Sequence, residues 1–585
     1  MPLPGADLGV GLLTAQRRSD DDRPTSGVYE MEETAEAADR AGFDSVRTTG
    51  HRFAESEYLS GTPPTPAALA ARIEEAEVVS GVALSRTAAS ERRSAATSAP
   101  PSGRAVRGSA PRRSATASAG RSSPYSSTHV GAQISRARRT TFTSACAPHS
   151  DMPETVLLVG GGGREHAIAR ALADDCALYA CASNRNPGIA RLAEGFEKLD
   201  ETDPESVVAY AESVGADIAV VGPEAPLAAG VADALDAAGV YAFGPREEQA
   251  RIETDKAFQR RFMRDNDIPG CPDFETFDDV EAACEYIDEY DGDLAVKPAG
   301  LTGGKGVRVI GDQVTAAEAK EYLRESDYDR VVLEERLVGE EFTVQAFVAA
   351  GDLKVAPAVQ DHKRAYEGDE GPNTGGMGSY SDDDFALPFM TDADYGEAVS
   401  VLEATVDALD GYKGVLYGQF MLTADGVRVI EFNARFGDPE AMNTLPVLET
   451  SFLDVLVAAS RGDPLPDLAF DARATVCKYA VPAGYPEDPE GGTRVTVDEE
   501  SAARAAEGDG DALLFYASVD DREDGVYTTT SRSFAVVGVA GTVSAAERIA
   551  EDALAGVGDG LRVRHDIGTA DLVQRRIDHV EDLRG

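Results

Sequence analysis

Val296-Lys-Pro-Ala-Gly-Leu-Thr-Gly-Gly-Lys-Gly-Val307 consists of an apolar run, a glycine-rich loop and the start of a second apolar run. Glycines allow the backbone of such a loop to approach phosphate groups closely, and Lys297 and Lys305 supply positive charge. The stretch is not a P-loop, because Lys305 is followed by glycine instead of serine or threonine and no helix pattern follows. It predicts a β-hairpin that folds over the phosphates of a nucleotide.

Lysine is rare in this sequence, so the positions at which it occurs are informative. The chain has 9 lysines against 46 arginines. A single lysine is usually a solvated surface charge, but Lys297 ends an apolar strand that leads directly into the glycine loop. Four lysines lie in marked motifs: Lys256 in Thr254-Asp-Lys-Ala-Phe258, Lys297 and Lys305 in the hairpin, and Lys363 in Asp361-His-Lys-Arg364.

A second informative stretch is Val427-Arg-Val-Ile-Glu-Phe-Asn-Ala-Arg-Phe-Gly-Asp-Pro-Glu440. Glu431 and Asn433 are two residues apart on a predicted strand, so both point to the same face. A carboxylate and an amide oxygen suit Mg²⁺, which takes a few oxygen ligands together with phosphate oxygens. We expect Gln419, on a neighbouring strand, to add an oxygen, and Arg435 to meet an anion that develops at the same face.

An acid-ended strand, Val331-Val-Leu-Glu-Glu-Arg-Leu337, precedes Gly339-Glu-Glu-Phe342. One interpretation is a strand whose end contacts a nucleotide. The alternative is an edge strand with charged ends, which natural sheets use to avoid edge-to-edge pairing.

Gly160-Gly-Gly-Gly163 follows a predicted strand and precedes a predicted helix. A dinucleotide-binding site is the first interpretation to test, but the third glycine of its G-x-G-x-x-G pattern would fall on Glu165 or His166. The glycines still allow backbone N–H groups to face a phosphate or another small ligand at a helix N-terminus.

Periodicity divides the chain after residue 151 into three regions. In the first region, residues 152–254, short apolar strands alternate with helices, which predicts a parallel α/β sheet. The central region, residues 255–463, has strands joined by glycine-rich turns and long loops. The third region, residues 464–585, mixes strands with a helix. Predicted elements are strands 156–159, 218–221, 240–243, 474–481 and 534–539, and helices 165–173 and 544–553.

The first 151 residues differ from the remainder. Residues 87–150 hold ten arginines, one glutamate and no lysine, and their Ser/Ala/Arg/Pro-rich composition predicts disorder. A basic nucleic-acid-binding arm is the alternative, as is mis-started translation. Residues 1–86 resemble the first βα unit of luciferase-like flavin monooxygenases, including Thr48-Thr-Gly-His-Arg-Phe53. A (β/α)₈ barrel needs about 250 residues, so we interpret this segment as a vestigial βα fragment.

Composition excludes several classes of protein. The formal charge of −48 argues against binding nucleic acid over a broad surface. Such acidity with few lysines is typical of a halophile's solvated surface. No apolar run approaches the roughly 18–20 residues of a membrane helix, so we expect a cytoplasmic protein without membrane partners. The 6 cysteines form no C-x-x-C pair, which disfavours a zinc site or a disulfide framework.

Taken together, the hairpin, the acid-ended strand and the final Glu-x-Asn resemble the ATP-grasp superfamily, and the chain is similar within it to the phosphoribosylamine–glycine ligase family. The similarity spans residues 152–585 in the family's order and departs from it at Gln419, Pro298 and Thr302. The matching stretches are Gly161-Gly-Gly-Arg-Glu-His-Ala167, Val221-Gly-Pro-Glu-Ala-Pro-Leu227, Gln360-Asp-His-Lys-Arg364, Gly371-Pro-Asn-Thr-Gly-Gly-Met-Gly378 and Glu431-Phe-Asn-Ala-Arg-Phe-Gly-Asp-Pro-Glu440.

This resemblance implies a mixed α/β and α+β architecture: a Rossmann-like domain, an ATP-grasp core of two subdomains and a small mixed C-terminal domain, preceded by a partly disordered extension. It implies the substrates ATP, glycine and 5-phosphoribosylamine, the metal Mg²⁺ or Mn²⁺, and a monomer. The rival interpretations are another ATP-grasp ligase of purine intermediates and a biotin-type carboxylase.

The resemblance also implies roles for individual residues. Expected catalytic residues are Arg435, Lys297, Asp361 and Lys363. Expected contacts to ATP are Lys256, Lys297, Lys305, Glu334, Glu335, Leu337 and Glu341. Expected contacts to glycine and phosphoribosylamine are Gly162, Gly163, Arg164, Glu165, His166, Pro223, Glu224, His362, Arg364, Asn373, Thr374, Gly375, Gly376 and Met377. Expected metal ligands are Gln419, Glu431 and Asn433.

Overall fold

The computed structural model describes residues 154–300, 306–326, 328–506, 508–558 and 560–585, together with two short strands near the start. These strands, β1 (Ser45–Thr48) and β2 (Val82–Ser85), pair antiparallel in a unit separate from the one that begins at Thr141. The predictions for the rest of residues 1–151 and for Lys305 lie outside the described residues. The unit that begins at Thr141 is described below.

A five-stranded parallel sheet of order β5-β4-β3-β6-β7 forms the first region. Val156 and Leu158 of β3 face one apolar core while Leu157 and Val159 face the other, so this strand is buried on both sides. Its strands are β3 (Thr155–Val159), β4 (Ala177–Ala182), β5 (Gly195–Lys198), β6 (Ile218–Val221) and β7 (Tyr241–Phe243). Its helices are α1 (Gly163–Leu172), α2 (Pro187–Leu192), α3 (Pro204–Val214), α4 (Glu224–Ala228), α5 (Val231–Ala237) and α6 (Glu247–Thr254).

The central region begins with a small antiparallel sheet of order β10-β9-β11-β8. The predicted hairpin is present, since Arg308 pairs with Val296 and Val309 pairs with Ala295. The sheet packs on two helices around a core of its own. Its elements are α7 (Lys256–Asp265), which precedes it, β8 (Phe274–Phe277), α8 (Val280–Glu289), β9 (Leu294–Pro298), β10 (Arg308–Val309), α9 (Ala316–Glu325) and β11 (Val331–Glu335).

A second antiparallel sheet, β13-β12-β18-β19, carries the predicted metal strand. Phe342, Val344 and Phe420 pack its inner face against the large core. Its elements are β12 (Glu340–Ala349), β13 (Asp352–Val355), α10 (Asp392–Ala408), β18 (Gly414–Thr423) and β19 (Gly426–Asn433), followed by α11 (Ala441–Thr444), a 3₁₀ turn (Leu445–Val447) and α12 (Phe452–Arg461).

The third region is built on a sheet of order β14-β17-β20-β25-β22, with β26 paired to β20. Because β14 and β17 precede residue 463, this sheet crosses the predicted boundary at that residue. A hairpin β15–β16 and a sheet β21-β24-β23 accompany it. The strands are β14 (Gln360–Asp361), β15 (Arg364–Tyr366), β16 (Glu370–Asn373), β17 (Gly378–Ser381), β20 (Ala474–Pro482), β21 (Arg494–Val495), β22 (Asp511–Tyr516), β23 (Val519–Arg522), β24 (Gly525–Thr528), β25 (Phe534–Ala540) and β26 (Leu561–Arg562).

The helices of the third region range from 5 to 15 residues in length. They are α13 (Glu499–Ala503), α14 (Val543–Ala553), a 3₁₀ turn (Leu554–Gly556) and α15 (Ala570–Arg584). Across the described part of the chain, none of the helices combines the length and the apolar character that crossing a membrane requires.

Candidate active site

A cavity of about 580 Å³ is lined by polar side chains from all three regions. The first region contributes Gly161, Gly162, Arg164, Glu165, Ser183, Asn184, Glu201, Pro223, Glu224 and Glu253. The central region contributes Lys256, Asp361, Lys363, Thr374, Gly375, Tyr417, Glu431, Asn433, Arg435, Asp438 and Glu440. The third region contributes Tyr485, Ser518, Ser531 and Arg532.

Strands β18 and β19 place the predicted metal ligands side by side. Gln419 pairs with Glu431 and Tyr417 pairs with Asn433, so the four side chains belong to one face of the sheet. Glu431 and Asn433 border the cavity. The Gln419 amide is already used, because its carbonyl oxygen accepts a hydrogen bond from Lys363 and its nitrogen donates to Glu341 at 2.7 Å.

Two ammonium groups surround the Glu431 carboxylate. Lys256 Nζ lies 3.8 Å from one oxygen and Lys363 Nζ lies 3.8 Å from the other. Lys256 is held there as the first residue of α7, whose N-terminus is capped by the side chain of Asp255. Burial raises the pKa of the Glu431 carboxyl, but the neighbouring lysines lower it to about 2. Glu431 is therefore ionised at neutral pH.

Lys297 belongs to a buried charge cluster next to this face. Its ammonium lies 2.6 Å from Glu334 and donates at 3.1 Å to the carbonyl of Ile430, the residue before Glu431. Arg260 completes the cluster with two hydrogen bonds to Glu334, at 2.8 and 2.9 Å. Burial lowers the pKa of the Lys297 ammonium, and Glu334 opposes that shift. Through this carboxylate Glu334 positions Lys297, and the expected contact of Glu334 with a nucleotide stays a prediction.

Arg435 is held by two carboxylates of the first region. Its Nη2 lies 2.9 Å from Glu253, and its Nε lies 3.6 Å from Glu224. The Glu253 carboxylate also accepts a hydrogen bond from the backbone of Ala434 at 2.7 Å. These contacts fix a guanidinium on the cavity wall directly beside Asn433.

Asp361 is one of the cavity carboxylates that hydrogen bonds do not fully satisfy. Its Oδ1 is buried and has no hydrogen-bond partner among the described residues. Burial, followed by the charge of Glu440, holds the pKa of the Asp361 carboxyl well above its usual range. Tyr417 donates to Glu440 at 2.8 Å. Asp361 therefore holds a proton more readily than an ordinary carboxyl group does.

The glycine-rich start lines the cavity together with Asn184, Ser183 and Ser518, a set of residues that we call the hydroxyl and amide end. Glu165 accepts a hydrogen bond from Gly162 N at 2.7 Å and from Arg164 Nε at 2.6 Å. A Cβ at Gly161 would lie only 2.5 Å from the side-chain oxygen of Asn184, which explains why glycine is required there. Asn184 in turn donates to the carbonyls of Gly161 and Val519. This end is therefore rich in hydroxyl, amide and backbone groups.

Several residues expected to contact substrates do not border this cavity. His166 is buried, accepts a hydrogen bond from Tyr516 N at 2.9 Å and packs edge-to-face with the Phe515 ring, so it joins two regions. Gly163 packs against Tyr479, and Met377 lies in the apolar core. His362 is buried beside Tyr380.

Arg364 and Asn373 line a separate depression, together with Asp312 and Gln313 beside the hairpin sheet. Arg364 donates to Asp312 at 2.5 Å and to Gly371 at 2.7 Å, and Gln313 donates to Asn373 at 3.3 Å. Glu335, Leu337 and Glu341 are partly exposed near the ends of β11 and β12, outside the cavity lining.

Sequence reasoning missed several residues of the site. Asp438 and Glu440 lie at the end of the informative stretch Val427–Glu440, so the sequence carried a signal for them. Arg260 is one of several basic residues on an amphipathic helix, and Arg532 and Asn184 lie in no motif. Only the folded chain brings these three to the site.

The donor set fits a divalent cation that is shared with phosphate groups. Within the described residues no group of three or more His, Cys, Asp or Glu side chains is arranged to hold a metal by itself. Glu431 and Asn433 instead offer a carboxylate and an amide oxygen on one cavity wall. Mg²⁺ commonly binds in this way, through one or two protein ligands plus substrate phosphates.

Comparison with known proteins agrees with this geometry. The family models described as phosphoribosylglycinamide synthetase N domain, ATP-grasp (A) domain and C domain match residues 154–253, 254–441 and 475–570. A phosphoribosylamine–glycine ligase of Methanococcoides burtonii is 55% identical over 440 residues, covering 73% of this chain and 99% of that protein. One from Methanosarcina barkeri is 53% identical, covering 74% of this chain and 100% of that protein.

Among solved structures, the phosphoribosylamine–glycine ligase of Thermotoga maritima matches with a TM-score of 0.60 at 26% identity. The match covers 70% of this chain and 99% of that one. The cavity, the strand pair that carries Glu431 and Asn433, and these matches lead to one conclusion: the chain belongs to the phosphoribosylglycinamide synthetase family, whose central domain has the ATP-grasp fold.

Proposed function

We propose that this protein joins glycine to 5-phosphoribosylamine at the expense of ATP, giving glycinamide ribonucleotide, ADP and phosphate in purine synthesis. The observation that carries the proposal is one cavity with two chemically different ends. Lysines and the Glu431–Asn433 pair lie at one end. Glycine backbone, Asn184 and serine hydroxyls lie at the other.

The reaction must first activate a carboxylate, which is a poor acylating agent at neutral pH. A glycine carboxylate oxygen attacks the γ-phosphorus of ATP, the bond to the bridging oxygen breaks, and ADP leaves with that electron pair. The amine nitrogen of phosphoribosylamine then attacks the carbonyl carbon of glycyl phosphate. Phosphate departs and the nitrogen loses a proton. No covalent bond to the protein is required, so its contribution is positioning and charge neutralisation.

At the phosphate end, Lys256 and Lys297 would contact ATP phosphates, with Lys363 on the transferred group. Members of the ATP-grasp class use ATP with a divalent metal ion, and we assign Mg²⁺ or Mn²⁺ to Glu431 and Asn433. A metal ion bound there would neutralise charge on the phosphate oxygens. Arg435, fixed by Glu253 and Glu224, would stabilise the acyl phosphate.

The remaining nucleotide contacts are assigned to Glu334, Glu335 and Leu337, at and just after the end of β11, and to Glu341 on β12. Lys305 of the glycine-rich loop is assigned to the phosphates. At the other end, Gly162, Arg164, Glu165, Pro223, Glu224, Thr374 and Gly375 would surround phosphoribosylamine and glycine. Asp361, whose pKa is raised by burial and by Glu440, faces the place where these substrates meet. We further propose a cytoplasmic monomer.

Substrate-dependent release of ADP tests the proposal. With Mg²⁺ and ATP present, ADP should form only when glycine and phosphoribosylamine, generated from ribose 5-phosphate and ammonia, are both supplied. Glycine analogues with bulky side chains should fail, because the carboxylate must approach the γ-phosphate closely within the cavity. Turnover with bicarbonate in place of glycine would favour a carboxylase and contradict the proposal.

A further inference from the structure

Arg532 lies in the turn before β25 and reaches from the third region into the cavity wall. Its Nη1 donates to three carbonyl oxygens, those of Gly375 at 2.5 Å, Gly376 at 3.1 Å and Asp438 at 2.8 Å. Its Nη2 lies 3.4 Å from the Asp438 carboxylate. The side chain is 13% exposed. One guanidinium thus connects the turn at residues 374–377 to the segment around Asp438, which follows β19.

The turn at residues 374–377 is also held from its other side. Thr374 N donates to the carbonyl of Lys363 at 2.7 Å, and Met377 N donates to the carbonyl of His362 at 2.8 Å. Gly376 has φ +102°, and a Cβ there would lie 2.6 Å from Asp361 Oδ1 and 2.7 Å from Pro439 Cδ. The turn therefore lies directly against Asp361, so a change in the position of the turn would displace that carboxylate.

The orientation of Arg532 is itself fixed. The guanidinium lies over the ring of Tyr479, 4.5 Å from its centroid, and the Tyr479 hydroxyl donates to Asp438 at 2.5 Å. Asp438 lies beside the glycine-rich start, since a Cβ at Gly162 would be 3.7 Å from its carboxylate. Arg532 consequently belongs to the end of the cavity that is rich in hydroxyl and amide groups.

We propose that Arg532 is a positioning residue for the amine substrate: it holds the 374–377 turn, and through it Asp361, at a fixed distance from the wall formed by Asp438 and the glycine-rich start. The inference rests on the proposed function and extends it by assigning the third region a part in the reaction. Its expected effect is largest at the phosphoribosylamine end, although the turn also binds the backbone carbonyl of Lys363. The Lys256–Glu431–Lys363 cluster is organised by its own ion pairs.

The test compares Arg532→Ala and Arg532→Lys with a matched control, Arg473→Ala. Arg473 is also in the third region. It donates to the carbonyls of Asp509 and Val539 and to the carboxylate of Asp511, but it does not line the cavity.

We expect Arg532→Ala to lower kcat/KM for phosphoribosylamine by about 10²-fold, the cost of an ångström-scale misplacement, while the Kd for ADP stays unchanged. Added guanidinium should restore part of the activity. Arg473→Ala should lower thermal stability and leave the kinetics intact.

Wild-type kcat/KM in Arg532→Ala would overturn the inference. So would an equal loss of ADP binding and amine-substrate kinetics, or the absence of any recovery with guanidinium. If Arg532→Ala fails to fold, Arg532→Lys decides: we expect lowered kcat/KM for phosphoribosylamine with an unchanged Kd for ADP, because one ammonium cannot serve the four acceptors. A wild-type protein without turnover would instead refute the proposed function itself.

Discussion

Replacing Glu431 by glutamine is expected to lower kcat by about 10²–10³-fold while the protein remains folded. The substitution keeps the size of the side chain and removes its charge. With a pKa of about 2, the Glu431 carboxyl is ionised throughout the neutral range, so the lost charge is one that the wild type carries. Lys256 and Lys363 would then face the phosphates without a carboxylate between them. Steady-state ADP release at a series of Mg²⁺ concentrations measures the effect.

Three further variants calibrate that result. Asn433→Ala should also lower kcat strongly. Gln419→Ala should have a smaller effect, since the Gln419 amide is used by Lys363 and Glu341. Glu403→Gln, on the exposed side of α10, serves as the charge-matched control. Turnover of Glu431→Gln close to wild type at ordinary Mg²⁺ would show that the metal site is elsewhere.

Replacing Arg260 by methionine is expected to destabilise the central region by about 3–5 kcal/mol, because it removes one partner of a buried ion pair. The Arg260 side chain is 1% exposed, makes two hydrogen bonds to Glu334 and donates to Ile430 O at 2.6 Å. Its loss leaves Glu334 buried with Lys297 as its remaining cation, and it frees the strand that carries Glu431. A lower midpoint of urea unfolding and weaker ATP binding should appear together.

Arg264→Met is the control for this effect. Arg264 lies one turn further along α7, is exposed, pairs with its neighbour Asp265 and lies over the ring of Phe274. Arg260→Lys should fall between the two, because lysine cannot make the two-pronged contact with a carboxylate. A urea midpoint of Arg260→Met equal to that of Arg264→Met would contradict the role assigned to the buried cluster.

The elements that sequence analysis predicted best are those with a strong local signal. The hairpin at Val296 could be predicted because an apolar run leads into a glycine-rich loop. The strand through Glu431 and Asn433 could be predicted because apolar and polar residues nearly alternate there. Residues 218–221 were predicted as a strand and form one. The strand predicted at residues 474–481 is one residue longer and ends at Pro482. Burial on both faces makes such runs easy to recognise.

The side of the sheet that a residue faces was harder to predict than the strand that carries the residue. Periodicity indicates that Glu334 and Glu335 face opposite sides of β11, but it does not say which side holds Arg260 and which faces solvent. A family motif likewise combines residues that line the cavity, such as Arg164, with residues that only pack, such as His166. Arg532 could not be predicted because it reaches the cavity only through the packing of the third region against the central region.

The claim that glycine is activated by phosphorylation has one most direct test. Glycine labelled with oxygen-18 in both carboxylate oxygens would be supplied with ATP and phosphoribosylamine, and the released phosphate would be examined by mass spectrometry. If glycyl phosphate forms, one labelled oxygen passes to phosphorus and leaves with the phosphate, while the other stays in the amide. The account predicts one labelled oxygen in each phosphate released. Unlabelled phosphate, formed alongside glycinamide ribonucleotide, would contradict it.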